Sequence, residues 1–594
     1  MNGLSNALPA ILGRHVSGEG RWATFVGGSL SPSRRVRLKI AMQCPNQGIR
    51  SEPRRPSCHF SPTMSLVLDH PLTSLSAGVA AYLLVRKALQ SHSTTVHSLP
   101  EPTGAHWFWG HEMIVHESSY GEAHTAWINS YGSTYKIKGA MLHPDILVTT
   151  DPAAIAHIFG KEVYSYGKFK SPVIRPIVDR LMGKSLVWAE GDVHKRQRQQ
   201  LARFFTTQAT RDMFDMINIC ARIGSEHLAA EVAQRGSDPK HGANVNLCEL
   251  TSHITLDIIG RFAFDHDFEC GKSEASQRIA SSWKAQVDLG FQKAGLIGLV
   301  VLRAFPFIAH LPVKSIQAQG EVKTILREIA ERLIANDTGD QQKDDLLRTL
   351  TRLAEKGEVD VPREELLDHV STMVLVGQET TSGVINFALH ELAKNPEYQS
   401  RLRDEINRLG REPTYEDLMT GMPWLDAIMK ETFRHRPLSS HTERVALKDD
   451  VLRLQNPVYN ERGHRVTEVA IKAGQLIHIP SISMSHAKSV WGEDADEFRP
   501  ERWLDPSRLP PASATSSGWS GLFVFSEGPR QCIGFRLAIL SFKTILTTFI
   551  RNFEFNDTGA IVKARFSATL QPFVVGEEEK GTQLPIGVSI IEHI

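Results

Sequence analysis

Cys532 stands in the stretch Phe525-Ser526-Glu527-Gly528-Pro529-Arg530-Gln531-Cys532-Ile533-Gly534, and an apolar run from Phe535 to Ile550 follows it. A cysteine at such a loop-to-helix junction is placed to be a thiolate. The helix N-terminus offers partial positive charge and unpaired N–H donors, and both favour the ionised sulfur. Gly528 and Gly534 permit a tight turn and let the backbone approach something flat. Arg530 can give a charge-assisted hydrogen bond to a carboxylate. A thiolate, a flat ligand and a carboxylate together point to heme, with Cys532 as the axial ligand and Arg530 on a propionate. The competing reading is a buried structural cysteine.

The second constellation is Val376-Gly377-Gln378-Glu379-Thr380-Thr381, inside a run with helical periodicity over 363–393. A glycine and two threonines are poor helix formers, and a threonine hydroxyl can bond back to a carbonyl and bend or open the helix. Beside a heme, such an opening would seat dioxygen. Thr380 would then hydrogen-bond the oxygen substrate, and Glu379 would relay protons from solvent. An ordinary polar kink in a core helix is the alternative.

These two motifs, in this order, resemble the cytochrome P450 family. The cysteine loop matches F-x-x-G-x-R-x-C-x-G at every fixed position, including Phe525, Gly528, Arg530, Cys532 and Gly534. The stretch Val376–Thr381 resembles the family's A/G-G-x-D/E-T-T, with Val376 as the departure; its larger side chain is expected to narrow the space above the heme. The resemblance extends to Glu431-Thr432-Phe433-Arg434 and to Phe498-Arg499-Pro500-Glu501-Arg502-Trp503. Taken alone, Glu431 and Arg434 would be a surface i, i+3 pair worth a few tenths of a kcal/mol. The resemblance instead implies a buried triad of Glu431, Arg434 and Arg502. It also implies heme-propionate contacts from Arg444 and from the basic helix start Gly191–Arg198. There His194 replaces the family's Trp four residues before Arg198 and keeps a ring N–H donor. That cationic stretch could also be a solvated face or a dock for an acidic redox partner.

The resemblance covers about 115–594 and implies one large, mainly α domain with a small β portion, binding heme b (iron protoporphyrin IX) between helices. Helical patterning runs through 195–235, 246–264, 320–335, 363–393 and 396–408. Strand signals occur at Thr134–Ile137, Ile146–Thr149, Val466–Ile471 and Leu476–Ile479. Two loops, Asn336–Asp345 and Leu509–Trp519, read as flexible. Over the 594 residues, 67 basic and 66 acidic side chains nearly balance, which argues against nucleic acid as a partner. Six cysteines form no CxxC pair and no disulfide framework, and no zinc-ligand spacing is visible.

Residues 1–63 carry nine Lys/Arg against Glu19 and Glu52 and read as a disordered extension. The apolar stretch Pro71–Val85, extended back to Met64, approaches the span of about 20 residues that a membrane helix needs. Residues 64–90 are therefore expected to be a membrane anchor, with Arg86 and Lys87 holding the following domain on the cytoplasmic face of the endoplasmic reticulum. The alternative makes 1–63 a mitochondrial transit peptide. Residues 91–114, with Leu99-Pro100-Glu101-Pro102-Thr103-Gly104, read as a stiff hinge.

By resemblance, the chain is expected to be a monooxygenase served by NADPH-cytochrome P450 reductase. Its substrate pocket is expected over 165–187, 283–312, 370–380, 438–444 and 564–571. Phe169, Val173, Ile174, Leu289, Phe291, Met373, Leu438, Phe566 and Leu570 make those stretches apolar and favour a lipophilic small molecule, such as a terpenoid, polyketide or fatty acid. The general look is that of fungal, membrane-bound members serving specialised (secondary) metabolism. A same-fold isomerase or dehydratase acting on peroxides and a non-enzymatic heme sensor are the rival readings.

Overall fold

The computed structural model describes residues 95–592 together with Gly78 and Ala81, apart from 142, 161, 168–170, 237–241, 292, 306–307, 309–320, 336–344, 440 and 567–568, and apart from the side chains of 171–174, 285–294 and 566. The expected extension 1–63 and nearly all of the expected anchor 64–90 lie outside the described residues. Among the described residues no helix is long and apolar enough to cross a membrane.

Helices dominate, and the longest of them organises the rest. Arg363–Lys394 runs for 32 residues, opens with Glu364 and Glu365 in its first turn and stops at Asn395. The early acids suit the positive end of the helix dipole. Pro396 cannot continue the helix and instead occupies the first turn of the next one, Pro396–Asn407. From Leu366 to Ala393 nearly every side chain is buried, so this helix is core over most of its surface. It packs against Leu247–Phe264 and Phe535–Asn552. Gly377 sets the closeness of the first contact, because a Cβ there would come within 2.8 Å of Ile259 Cδ1.

The expected helical run 195–235 is broken into Gly191–Ala202, Thr207–Asp212 and Phe214–Arg235. The break follows from Thr206, whose side chain accepts from the Ala209 N–H and so caps a new helix inside the pattern. The other four expected helices appear within a residue or two of their expected bounds.

The β portion is small. A five-stranded sheet has the order Thr134–Ile137, Ile146–Thr149, Leu476–Ile479, Thr442–Ala446 and Tyr166–Gly167. The early strand pair and the strand Leu476–Ile479 match their expected bounds. Thr442–Ala446 pairs antiparallel with Leu476–Ile479, which puts Glu443 opposite His478 and Arg444 opposite Ile477. The expected hinge is docked over its described part. Leu99 is fully buried, the Pro100 carbonyl accepts from the Lys136 N–H (3.0 Å), and Glu101 pairs with Lys136 and Lys138. The Leu509–Trp519 loop is likewise tied down, because Gln455 donates to Ser513 O and Ser516 donates to Glu527.

The expected triad is present and fully enclosed. Arg434 donates to both oxygens of Glu431 (2.9 and 2.8 Å), and Arg502 Nε donates to Oε1 (3.1 Å). The Arg499 backbone N–H (2.8 Å) and Trp503 Nε1 (2.9 Å) complete the carboxylate's shell. Arg434 spends its remaining donors on the carbonyls of Ser485, Ala495 and Glu497. Burial alone would raise the Glu431 pKa; Arg434, Arg502 and the Arg499 N–H overcome it and hold the carboxyl below its ordinary value. Phe433, inside the same motif, packs on Phe525 (centroids 5.1 Å) and Phe542 (5.8 Å), so the triad helix bears directly on the cysteine loop.

Replacing Glu431 with Gln strands two buried guanidinium groups. The expected cost is about 3–5 kcal/mol. Thermal unfolding followed by circular dichroism checks this. Because the folded pKa of Glu431 is depressed, its stabilising contribution is present above the ordinary carboxyl range and is lost as pH falls through the folded value. The variant should lack that acid-side loss.

Candidate active site

The cysteine loop closes on itself. The Cys532 N–H donates to Phe525 O (2.7 Å), and Gly534 caps the helix Phe535–Asn552 that follows. Phe525 is buried among Phe433, Trp519 and Phe535, while Cys532 itself stays exposed. Gly528 takes φ +60°, and a Cβ there would meet Phe159 O at 2.2 Å, so this turn requires glycine. At Gly534 the nearest atom to an added Cβ is 3.7 Å away, so glycine here leaves space at the loop's exit.

Three arginines surround the loop. Arg198 donates to Gln531 O (2.7 Å), which ties the helix Gly191–Ala202 to the residue before Cys532. Arg530 donates to Ala189 O (2.8 Å) and pairs with Glu190. Arg444, 3% exposed, lies over the Phe159 ring (4.5 Å) and donates to Thr442 Oγ1 and Glu443 O (both 2.7 Å). Burial first, and repulsion from Arg530 second, bring the Arg444 guanidinium down to about 9. Burial also lowers Arg530 and Arg198. His194 is buried, with Nδ1 on the Tyr164 hydroxyl (3.0 Å), and the same tyrosine ring lies under Arg530 (5.5 Å).

This donor set fits heme. Guanidinium groups gathered so that Arg530 depresses Arg444 and Arg198 are what a bound dianion would relieve, and two propionates are such a dianion. The exposed sulfur at the end of a glycine-bounded loop is the residue that would hold the iron of such a group.

On the long helix, Val376, Gly377 and Thr380 form a partly exposed face amid buried neighbours. Thr380 Oγ1 donates back to Val376 O (2.7 Å), as the sequence suggests, but the helix is unbroken through this region. The expected opening is absent because the back-bond is made within helical geometry and Gly377 serves packing on Ile259 rather than a break.

Glu379 differs more from expectation. It is 7% exposed and does not face solvent. Its carboxylate accepts from Trp283 Nε1 (2.6 Å), Thr569 Oγ1 (3.1 Å) and Gln571 Nε2. Burial raises its pKa, opposed by the bonds from Trp283 and Thr569. A carboxyl on a central helix has no route to water once neighbouring elements close over it. Trp283, Thr569 and Gln571 fall in stretches expected to be pocket lining of apolar character; here they supply a polar clamp. Tyr164 and Glu190, the partners of His194 and Arg530, were also missed, since nothing in their local sequence marks them.

Of the apolar residues expected to line the pocket, Met373, Leu438 and Leu570 are buried. Leu438 packs against Gly383, where a Cβ would meet Leu438 Cδ1 at 2.5 Å, and the Leu570 N–H donates to Leu438 O (3.1 Å). Phe169 lies outside the described residues, as do the side chains of Val173, Ile174, Leu289, Phe291 and Phe566.

Comparison with known proteins agrees with this geometry. The family model for Cytochrome P450 matches residues 100–571. The chain is 29% identical over 510 residues to the cytochrome P450 monooxygenase claQ of Ampulloclitocybe clavipes, covering 83% of this chain and 92% of that protein. It is 27% identical over 531 residues to the cytochrome P450 monooxygenase 205 of Postia placenta, covering 86% and 95%. It is 27% identical over 550 residues to the ganoderic acid synthetase CYP5150L8 of Ganoderma lucidum, covering 85% and 96%.

Trp283→Phe removes a hydrogen bond that favours the Glu379 anion, so the carboxyl should titrate at still higher pH. The check is the carbonyl infrared band that Glu379→Gln abolishes. Because the folded pKa is raised, the protonated form is the one the fold favours. The associated stability is complete below the ordinary carboxyl range and is lost as pH rises through the folded value. In Trp283→Phe that loss should move to higher pH.

Proposed function

The chain belongs to the cytochrome P450 family and is an oxidoreductase of the monooxygenase kind, and from that premise we propose that it inserts one atom of dioxygen into a lipophilic small molecule of specialised metabolism, such as a terpenoid. The observation that carries this reading is the exposed Cys532 on its glycine-bounded loop, surrounded by the buried Arg444 and Arg530 and the half-buried Arg198. A relative named as a ganoderic acid synthetase supports a specialised-metabolite substrate. The buried Leu438, Leu570 and Met373 support a lipophilic one.

In this proposal Cys532 holds heme b, with Arg444, Arg530, Arg198 and His194 toward its propionates, and the thiolate-ligated group supplies dioxygen activation when bound. The remaining work falls to the chain. The triad Glu431, Arg434 and Arg502 fixes the cysteine loop through Phe433 and Phe525. Val376, Gly377 and Thr380 present the one polar hydroxyl of their face toward the oxygen substrate. Thr380 Oγ1 already donates to Val376 O, so it acts by accepting a hydrogen bond from the group that carries the proton. Glu379 holds a proton to higher pH than an ordinary carboxyl. It delivers that proton after a side-chain rotation that breaks its bond to Trp283, which gates supply. An isomerase or dehydratase on this fold would have no task for this acid–alcohol pair.

Electrons come from NADPH-cytochrome P450 reductase, the redox partner that family membership implies. The domain sits at the cytoplasmic face of the endoplasmic reticulum membrane through residues 64–90, with mitochondrial import of a chain carrying 1–63 as the alternative.

The test is the carbon monoxide difference spectrum of the reduced protein. A strongly red-shifted Soret band is expected in the wild type and should vanish in Cys532→Ser. A histidine-like band in folded, heme-loaded wild-type protein would overturn the assignment. With a reductase and a turned-over substrate, Thr380→Ala should keep the red-shifted band and consume NADPH, yet form several-fold less product per NADPH.

A further inference from the structure

At the five-stranded sheet, His478 of the strand Leu476–Ile479 has two further histidine rings beside it, His441 just before the strand Thr442–Ala446 and His124 on the helix Glu122–Tyr131. His124 stacks on His478 (centroids 4.7 Å, 24°), and His441 also stacks with His478 (4.8 Å, 24°). Glu443 lies directly across the strand pair from His478, with Oε1 3.4 Å from His478 Nδ1. The potential ligand atoms of His441, Glu443 and His478 all lie within 4.8 Å of one another. Two imidazoles and one carboxylate are a common ligand set for zinc, which also accepts a water as fourth ligand.

Two further features point to an ion. The Tyr120 hydroxyl is 2.9 Å from His441 Nδ1, a contact that fixes the ring and leaves Nε2 as the nitrogen available to a ligand. His124 is 4% exposed with Nδ1 on the Tyr135 hydroxyl (2.7 Å), and its Nε2 has no hydrogen-bond partner among the described residues. A buried polar nitrogen in that state is costly, and a water on an adjacent ion would satisfy it.

We propose that His441, Glu443 and His478 form a zinc site, oriented by Tyr120, that joins the strands Thr442–Ala446 and Leu476–Ile479. Glu443 and His478 come from paired strands already held in register, and His441 adjoins the first of them, so binding needs side-chain shifts and no backbone rearrangement. The ion would stiffen the strand that carries Arg444, one residue from Glu443. Its ligands include neither Cys532 nor the arginines around it, so zinc retention is read separately from the heme assignment.

The experiment is zinc analysis of the heme-loaded full chain after dialysis against zinc chloride and removal of loosely held metal. About one retained ion per chain is expected. His441→Ala combined with His478→Ala should lose it. Glu443→Gln, which keeps the side-chain shape, should lose most of it. Tyr120→Phe should weaken zinc affinity about tenfold. Zinc should raise the unfolding temperature of the wild type and leave that of the double variant unmoved. Circular dichroism establishes that each variant is folded. Wild-type protein that retains no zinc overturns the proposal, as does retention that is unchanged in Glu443→Gln and the double variant.

Discussion

The Glu431 carboxylate is the constraint on which the catalytic half of this molecule depends. It lies fully out of water and survives there as an anion because five hydrogen bonds converge on it, four of them from side chains. Three of the donating residues, Arg499, Arg502 and Trp503, come from one short turn, and Arg434 comes from the helix that carries Glu431 itself. The carboxylate therefore fastens a turn to a helix. Arg434 then reaches three backbone carbonyls of the intervening segment. A buried ion pair of this kind is weak evidence for net stability, since its desolvation opposes it. Its value here is positional, because it leaves only one arrangement in which every buried charge is paired.

That fixed arrangement reaches the reactive sulfur through apolar contact. Phe433 projects from the triad helix onto Phe525 at the start of the cysteine loop. Trp519 and Phe535 close around the same ring. The loop is thus held from behind by aromatic packing, while its front carries Cys532 and the cationic groups Arg198, Arg444 and Arg530. Gathering positive charge at a partly buried site is unfavourable and has to be held by the surrounding structure. The triad supplies the rigidity that keeps those groups together.

The distal side follows a different logic. The long central helix is buried on all faces except around Val376, Gly377 and Thr380, where polar function is confined to one hydroxyl. Glu379, next to it in sequence, turns roughly 100° around the helix axis from Thr380. There it meets Trp283 and Gln571 instead of solvent. The two residues of one motif thus face different surroundings, one a partly exposed face and the other a dry polar clamp.

The sequence by itself determined the features whose chemistry is local. Cys532, Arg530 and the glycines of the loop are readable because a tight turn before a helix needs those residue types in that order. The triad is readable because Glu431 and Arg434 sit one helical turn apart, and the family resemblance identifies Arg502 as their partner. The helices 246–264, 363–393 and 396–408 follow from apolar periodicity, and the strand Leu476–Ile479 from its β-branched character. Only the tertiary structure decided what lies across long separations. Trp283 and Thr569 reach Glu379 from 96 and 190 residues away, so the expected solvent relay is a closed clamp. The same holds for His441, Glu443 and His478. They show no metal-ligand spacing along the chain and meet because antiparallel pairing sets Glu443 opposite His478. Local patterns constrain turns and helix faces, whereas cross-strand register and the burial of a side chain are properties of the packed whole.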